Sequence, residues 1–259
     1  MLVSMRGRVK KIIANTSHYV YQKNFYSEFM GDQNFYTQQL QIVLPQLNLD
    51  LAKVALFFKN SRGDTSTVAL VQMGHDSYVI KRYNIKNFFH GLKIQFRRSH
   101  GYRSFCYAHF LKNKNVLTIK PVAVMQKKWG IFKFESYFIS RYEEGMRGCQ
   151  YFNDASGCQT TWTETIDAIV ELIKTMHANS IYHGDFHFGN MVINNNKPIL
   201  LDFDRIKIVK NRNRFAKLHR KDLNNFLRYL IRNPLANMAF QSHVGWQDYL
   251  GALAVIRRG

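Results

Sequence analysis

The sequence predicts an α+β fold of two lobes, with an antiparallel sheet in the first lobe and mainly helices in the second. Three apolar segments joined by turn-rich loops predict an antiparallel meander over residues 54–83. Apolar residues at helical spacing predict a helix after Thr161 and further helices beyond Asp204. A polar motif followed by an apolar strand–turn–strand lies at residues 183–204, between the two helical regions.

Three segments follow from this pattern. Residues 1–50 are basic and aromatic, and we expect an extension packed on or near the first lobe, or lying against a membrane surface. Residues 51–142 form the first lobe, with a helix from about Gln95 to Lys112 and strands over 116–124, 130–134 and 136–142. Residues 143–259 form the second lobe. Its first helix begins at Thr161, which has capping-box spacing to Glu164, and ends near Asn179. A later helix ends before Pro234, and a final helix begins near Trp246.

The charge of the chain indicates an anionic partner. The formal net charge is +20, and the 58 residues between Asp76 and Glu135 contain thirteen Lys or Arg and no acid. Such a surface binds nucleic acid, anionic lipid or a phosphorylated substrate. No signature of an RNA-binding module is present, so we expect no nucleic-acid partner.

The remaining bulk features concern location. No run of about 18 apolar residues predicts a transmembrane helix. The basic N-terminus lacks the apolar core and cleavage site of a secretory signal, and we therefore expect a cytoplasmic protein. The three cysteines have no metal-ligand spacing, which favours reduced thiols.

The motif at residues 183–204 contains groups suited to phosphoryl transfer from ATP. This chemistry needs bound phosphates, a held Mg²⁺ and an acceptor hydroxyl oriented toward a base. Asp185 would accept or orient the hydroxyl proton, and the oxygens of Asn190 and Asp202 would bind Mg²⁺. Lys81, near the end of the third strand, would hold the phosphates. Asp204 would be either a second ligand or a loop-stabilising acceptor.

A competing hypothesis is an iron site. His183-x-Asp185 is also the first half of a facial triad of two His and one carboxylate. That site needs a distant third His, usually followed by an Arg about ten residues later. Neither His219 nor His243 has such an Arg, and the flanking segments predict helices rather than a β-barrel.

His183-Gly-Asp-Phe-His-Phe-Gly-Asn190, followed by Asp202-Phe-Asp204, resembles the eukaryotic-like kinase superfamily in its small-molecule branch. The segments 78–83, 108–111 and 118–123 are similar to bacterial lipopolysaccharide core kinases, which phosphorylate Kdo or heptose sugars. The resemblance implies a two-lobe protein-kinase-like fold that uses ATP and Mg²⁺, with ATP near Tyr142 and Gly145. It further implies a lipopolysaccharide core lipid as substrate and a peripheral position on the anionic cytoplasmic face of the inner membrane. It predicts no oligomeric state.

The resemblance also implies a role for each matching residue. Asp185 is the catalytic carboxylate, Asn190 and Asp202 bind the metal, and Lys81 binds phosphate. His183 braces the loop, and Asp222 matches a helix residue that hydrogen-bonds the loop.

Two features depart from the family pattern. The loop between the first two strands has one glycine, Gly63, in place of a glycine-rich triad. The helix after Lys81 has no acidic residue, and Ser104 occupies about the position of the expected Glu partner. Two alternatives therefore stay open: another small-molecule or Rio-type protein kinase, and a catalytically inactive membrane-bound scaffold.

Overall fold

The structure is a computed structural model that describes residues 18–36, 54–59, 66–84, 98–153 and 159–255. The chain divides into two compact units. The first takes in the described residues up to Phe110 and those from Ile119 to Tyr142. The second takes in residues from Leu111 to Thr118 and from Glu143 onward. Within the described ranges, no helix is long and apolar enough to cross a membrane.

The first unit is built on an antiparallel sheet that has seven strands in the described part of the chain, in the order β1-β2-β6-β7-β5-β4-β3. One helix, α1 (His100–Lys112), follows β5. The strands are β1 (Tyr19–Lys23), β2 (Ser27–Asp32), β3 (Val54–Lys59), β4 (Ser66–Met73), β5 (Asp76–Tyr83), β6 (Pro121–Trp129) and β7 (Phe132–Arg141).

The predicted meander is confirmed, since β4 pairs antiparallel with both β3 and β5. The described part of the N-terminal extension forms β1 and β2, and β2 pairs with β6. Two local predictions were wrong. Arg98 and Ser99 precede the helix, which begins at His100, and residues 132–141 form a single strand because β6 pairs with it along its length.

Alternating side chains give the first unit its core. Every second residue of β4 is buried, because one face of the sheet packs away from water. The buried side chains come from five strands and from the segment after β2. They are Phe29, Phe35, Ala69, Val71, Met73, Tyr78, Ile80, Val122, Ala123, Met125, Tyr137 and Ile139.

The second unit is mainly helical. Its helices are α2 (Gly148–Tyr151), α3 (Gln159–Ala178), α4 (Arg212–Ile231), α5 (Pro234–Ser242) and α6 (Val244–Val255), with a 3-10 turn at Phe188–Asn190. Its short strands are β8 (Met146–Arg147), β9 (Ile181–Tyr182), β10 (Met191–Asn194), β11 (Lys197–Leu200) and β12 (Lys207–Ile208). They form two small sheets, in the orders β11-β10-β8 and β12-β9.

The N-terminal ends of two helices in the second unit differ from the predicted ones. α3 begins at Gln159, two residues before Thr161. The basic segment after Asp204 is largely helical, because the side chain of Asn211 caps the N-terminus of α4. The prediction that a helix ends before Pro234 is confirmed, since α4 ends at Ile231. Pro234 also occupies the first turn of α5, where a missing N–H costs nothing.

An aromatic cluster forms the core of the second unit. The predicted apolar face of α3 is buried, and the rings of Phe152, Phe188, Phe226 and Phe240 contact one another with centroids 4.8–5.8 Å apart. Trp246 packs on Phe226 and Phe240. Because Phe188 belongs to the polar motif, this cluster fixes the motif to the core.

Candidate active site

The polar loop leaves β9 after Tyr182 and is held at its start by Asp222 of α4. The Asp222 carboxylate accepts hydrogen bonds from the backbone N–H groups of His183 (2.7 Å to Oδ2) and Gly184 (2.9 Å to Oδ1). The predicted contact between Asp222 and the loop is thus confirmed. Burial raises the pKa of Asp222 to about 6, although the two N–H donors act in the opposite direction.

Gly184 allows the sharp turn between His183 and Asp185. Its φ is +86°, a conformation that side chains rarely adopt. A Cβ atom at this position would lie 2.6 Å from the Cβ atom of Arg205. Glycine is therefore required here, both for the backbone conformation and for the close approach of the loop to Arg205.

His183 is buried and serves the loop from within. Its Nδ1 accepts a hydrogen bond from the N–H of Asp185 at 3.3 Å. Burial lowers the pKa of His183 to about 4, although the carboxylates of Asp202 and Asp185 act to raise it. The ring is therefore neutral at neutral pH, in keeping with the predicted bracing role.

The Asp185 side chain is 39% exposed and lies beside His187, with 3.7 Å between its Oδ1 and the His187 Nε2. The His187 Nδ1 accepts the N–H of Gly189 at 3.0 Å. The His187 Nε2 faces both Asp185 and the Asn190 Nδ2, which lies 3.1 Å away. Burial lowers the pKa of His187, which keeps this ring neutral as well. His187 thus lies beside Asp185 as a neutral ring.

Two hydrogen bonds bring Asp185, Asn190 and Asp202 together. The Asn190 Nδ2 donates to the carbonyl oxygen of Asp185 at 2.9 Å. The carbonyl oxygen of Asn190 accepts the N–H of Leu201, the residue before Asp202, at 3.0 Å. β10 and β11 pair in register between these two points and return the chain to its start. The three residues that the sequence predicted thus meet at one end of the hairpin.

Asp202 lies two residues beyond the end of β11. Its Oδ1 accepts the N–H of Asp204 at 3.1 Å, which forms a local turn. This turn orients the carboxylate of Asp202. A role for the Asp204 carboxylate as a second ligand stays a prediction.

The donor set suits a hard divalent cation bound together with phosphate. Among the residues described, no group of three or more His, Cys, Asp or Glu side chains would hold a metal alone. Mg²⁺ commonly takes one or two protein oxygens and completes its shell with phosphate and water. The Asn190 Nδ2 contacts both the carbonyl oxygen of Asp185 and the His187 Nε2, and the Asn190 Oδ1 is the atom left to bind a cation. Asn190 and Asp202 therefore fit Mg²⁺ that arrives with ATP.

One face of α4 supports the loop residue by residue. Asp222 holds His183 and Gly184, the Asn225 Nδ2 donates to the carbonyl oxygen of Phe186 (3.3 Å), and the Tyr229 ring stacks on His187 with centroids 4.1 Å apart. Sequence analysis missed Asn225 and Tyr229. Their spacing of three and seven residues from Asp222 is the signal that places them on one helical face.

Lys81 lies on β5 in the first unit, with its Nζ 5.2 Å from the ring centroid of Tyr83. The hydroxyl of Tyr83 hydrogen-bonds the Oγ of Ser104 at 2.8 Å. Ser104, at the position where a Glu partner was expected, therefore contacts a tyrosine that lies under the lysine. An aromatic ring attracts the ammonium group through a cation–π interaction.

Tyr142 and Gly145, predicted to lie near ATP, belong to different units. The N–H of Tyr142 donates to the carbonyl oxygen of Ser77 (2.9 Å), which fixes the chain after β7 in the first unit. In the second unit, Gly145 has a φ of +134°, and a Cβ there would overlap the carbonyl oxygen of Ile193. Gly145 thus permits close packing against β10. Contact of either residue with ATP stays a prediction.

An antiparallel sheet that carries Lys81, a helical unit, and a loop that joins Asp185 to Asn190 and Asp202 define a protein of the kinase-like class. The model of the lipopolysaccharide kinase (Kdo/WaaP) family matches residues 58–247. This chain therefore belongs to that family, and the predicted family and kinase-like fold are confirmed.

Comparison with solved structures gives a more distant likeness. The chain matches a kinase of a virus, described as "Structure of the Cydia pomonella Granulovirus kinase, PK-1", with 18% sequence identity and a TM-score of 0.43. The match covers 66% of this chain and 58% of the viral chain, less than two thirds of its length. No curated protein matches the chain.

Proposed function

We propose that this kinase transfers the γ-phosphoryl group of ATP to a hydroxyl of a Kdo or heptose sugar in the lipopolysaccharide inner core. The observation that carries the proposal is the meeting of Asp185, Asn190 and Asp202 at the end of the β10–β11 hairpin. The family to which the chain belongs supports the sugar acceptor. The hydroxyl-orienting carboxylate and the metal-binding oxygens then belong to one rigid loop.

In this reaction the hydroxyl oxygen bonds to the γ-phosphorus, and the bond from that phosphorus to the bridging oxygen of ADP breaks. Asp185, whose side chain is partly exposed, accepts the hydroxyl proton. Asn190 and Asp202 would hold Mg²⁺, which would neutralise phosphate charge when bound. Lys81 holds the α- and β-phosphates, and Tyr142 and Gly145 line the nucleotide site.

The charge of the protein supports a membrane-borne acceptor. A net charge of +20 favours an anionic lipid substrate on the cytoplasmic face of the inner membrane. Each basic residue near such a surface contributes about 1 kcal/mol. We therefore propose peripheral attachment to that membrane, with the core lipid as the partner.

The test is transfer of labelled phosphate from Mg-ATP to isolated core lipid. We expect Asp185→Asn to abolish transfer while the protein stays folded, because the Asp185 carboxylate is partly exposed and the loop is held by backbone contacts. Asp202→Ala should also abolish transfer and weaken Mg-ATP binding. Asp248→Asn is the matched control, since Asp248 is exposed on α6.

Full activity of Asp185→Asn would show the catalytic assignment to be wrong. A wild-type protein that binds Mg-ATP but phosphorylates no core lipid would favour the scaffold or another acceptor. Mass spectrometry of lipopolysaccharide from a deletion strain then identifies the sugar, because the missing phosphate marks its position.

A further inference from the structure

The first unit carries an exposed apolar surface at the tips of two neighbouring hairpins. The β1–β2 turn and the β6–β7 turn lie side by side, because β2 pairs with β6. We call this surface the hairpin tips. Its members are the large exposed side chains Phe25, Tyr26, Trp129, Ile131, Phe132 and Phe134.

Hydrogen bonds within and between the two turns hold the hairpin tips in one conformation. The N–H of Gly130 donates to the carbonyl oxygen of Phe25 (3.0 Å), and the N–H of Lys128 donates to that of Tyr26 (2.9 Å). The Asn24 Oδ1 accepts the N–H groups of Tyr26 (2.8 Å) and Ser27 (2.7 Å). The exposed rings are thus held in place and are not free to fold back onto the protein.

The apolar side chains contact each other and still face solvent. The Phe25 ring packs edge-on against Trp129 with centroids 5.6 Å apart, and Trp129 stacks on Phe132 at 6.5 Å. Even so, Ile131 is 85% exposed, Tyr26 69% and Trp129 57%. A contiguous group of this kind marks an interaction site, because single exposed apolar residues do not cluster in this way on an ordinary surface.

The charged residues around the hairpin tips indicate which kind of partner binds there. Lys127 and Lys128 lie in the last three residues of β6, Lys133 is the second residue of β7, and Lys23 ends β1. The nearest acid on β2, Glu28, lies opposite Lys23 and accepts a hydrogen bond from the Tyr21 hydroxyl at 3.0 Å. The second hairpin contains no acid over residues 127–134, and Glu135 is the first acid after it. Exposed Trp, Phe and Ile beside lysines are the composition of an interfacial membrane anchor on anionic lipid.

We propose that the hairpin tips insert into the interfacial region of an anionic bilayer, with the surrounding lysines on the lipid phosphates. The inference rests on the proposed membrane-borne substrate and names the surface that reaches it. Insertion of the rings adds a component that salt does not remove, whereas the lysine component weakens with ionic strength.

The three tryptophans make the test direct. Trp162 and Trp246 are 8% and 2% exposed, so Trp129 is the one that solvent reaches. With vesicles of equal parts phosphatidylglycerol and phosphatidylethanolamine, we expect a blue shift of the tryptophan emission. Vesicles of phosphatidylcholine alone should give a much smaller shift. Trp129→Phe should remove the shift.

Variants then separate insertion from general charge attraction. Ile131→Ser with Phe132→Ser should lower vesicle affinity by about tenfold or more, because two large apolar side chains no longer leave water. Ile231→Ser is the matched control, since Ile231 is 68% exposed on α4 of the other unit. Lys127→Gln with Lys128→Gln should reduce only the salt-sensitive part of binding.

Three results would overturn the proposal: an unchanged Trp129 emission, wild-type affinity of the Ile131/Phe132 variant, or a dimer in ultracentrifugation that this variant dissociates. The last result would assign the surface to a second copy of the chain. Vesicle binding needs neither ATP nor a sugar, so its outcome does not depend on the proposed reaction. If both proposals hold, the variant loses activity on vesicle-bound lipid and keeps it on an acyl-free core fragment.

Discussion

The carboxylate of Asp222 accepts two backbone hydrogen bonds, one on each oxygen. Each of its oxygens accepts a backbone N–H from the start of the polar loop, and the group is buried. A buried N–H that loses its acceptor costs about 1–3 kcal/mol. The position of Asp185, one residue further on, therefore depends on a side chain about forty residues later in the chain.

We expect Asp222→Ala to lower the free energy of unfolding by about 2–4 kcal/mol, because the buried N–H of His183 and the partly buried N–H of Gly184 lose their acceptor. Phosphoryl transfer should fall with it. Urea unfolding measures the effect. Asn224→Ala on the exposed side of α4 is the control, with an expected change within about 0.5 kcal/mol. An Asp222→Ala protein as stable as this control would contradict the bracing role.

Which residues were predictable depends on how local their roles are. Asp185, Asn190 and Asp202 were found because their spacing within one motif carries the chemistry. Asn225 and Tyr229 were missed because their roles exist only once α4 packs against the loop. Nor did the sequence identify Tyr83, which lies next to Lys81 only because residues two apart on a strand share a face.

At the scale of elements, the β10–β11 hairpin determines where Asp202 lies. Its two turn residues, Asn195 and Asn196, have φ of +47° and +60°, as in a type I′ turn. This turn twists in the same sense as the strands and keeps them in register. Any change in register would move Asp202 away from Asn190, because Leu201 hydrogen-bonds Asn190.

Asn195 offers a test of this turn, since its side chain is exposed. Asn195→Val should destabilise the protein by about 1–2 kcal/mol, because a β-branched residue is strained at positive φ. Asn195→Gly should be neutral or slightly stabilising, because glycine accepts this conformation. Thermal unfolding compares the two. Equal stability of both variants would contradict the assigned turn.

Elements with strong periodicity were predicted well, and some of their ends were not. The meander and α3 have clear apolar periods because one face of each packs into a core, and this made both elements predictable. The helix end predicted before Pro234 is confirmed, since α4 ends at Ile231. The start of α5 at Pro234 was missed, and there the Asn233 side chain accepts the N–H of Ala236 at 3.1 Å. A proline can follow the end of one helix and stand in the first turn of the next, and here the side chain of Asn233 caps the second helix.

At the scale of the whole molecule, buried histidines set the response to acid. His219 is buried between His177 and Tyr249, with its Nε2 3.0 Å from the Tyr249 hydroxyl. Burial lowers the pKa of His219 to about 4, as it does for His183. A lowered histidine pKa favours folding above the unfolded value near 6.5, and this contribution is lost as pH falls from 6.5 toward 4.

Asp222 acts with the opposite sign, since its raised pKa, about 6, makes folding more favourable as pH falls through 6 toward 4. Between pH 7 and pH 5, the lowered pKa of each histidine reduces the free energy of unfolding by about 2 kcal/mol. The raised pKa of Asp222 increases it by about 1 kcal/mol. We therefore expect a net loss of about 2–3 kcal/mol in that window. His219→Phe, which keeps the ring stack, should flatten the pH dependence of urea unfolding. A curve as steep as that of the wild type would contradict this account.

The support of the loop by α4 has a consequence for synthesis. The ribosome makes residues 183–202, which contain Asp185, Asn190 and Asp202, before it makes Asp222, Asn225 and Tyr229. Until α4 emerges and packs, the N–H groups of His183 and Gly184 lack their acceptor. A nascent chain stopped before Asp222 would carry the whole motif and no formed active site. Competence should therefore arise late in translation and in one step, when α4 docks.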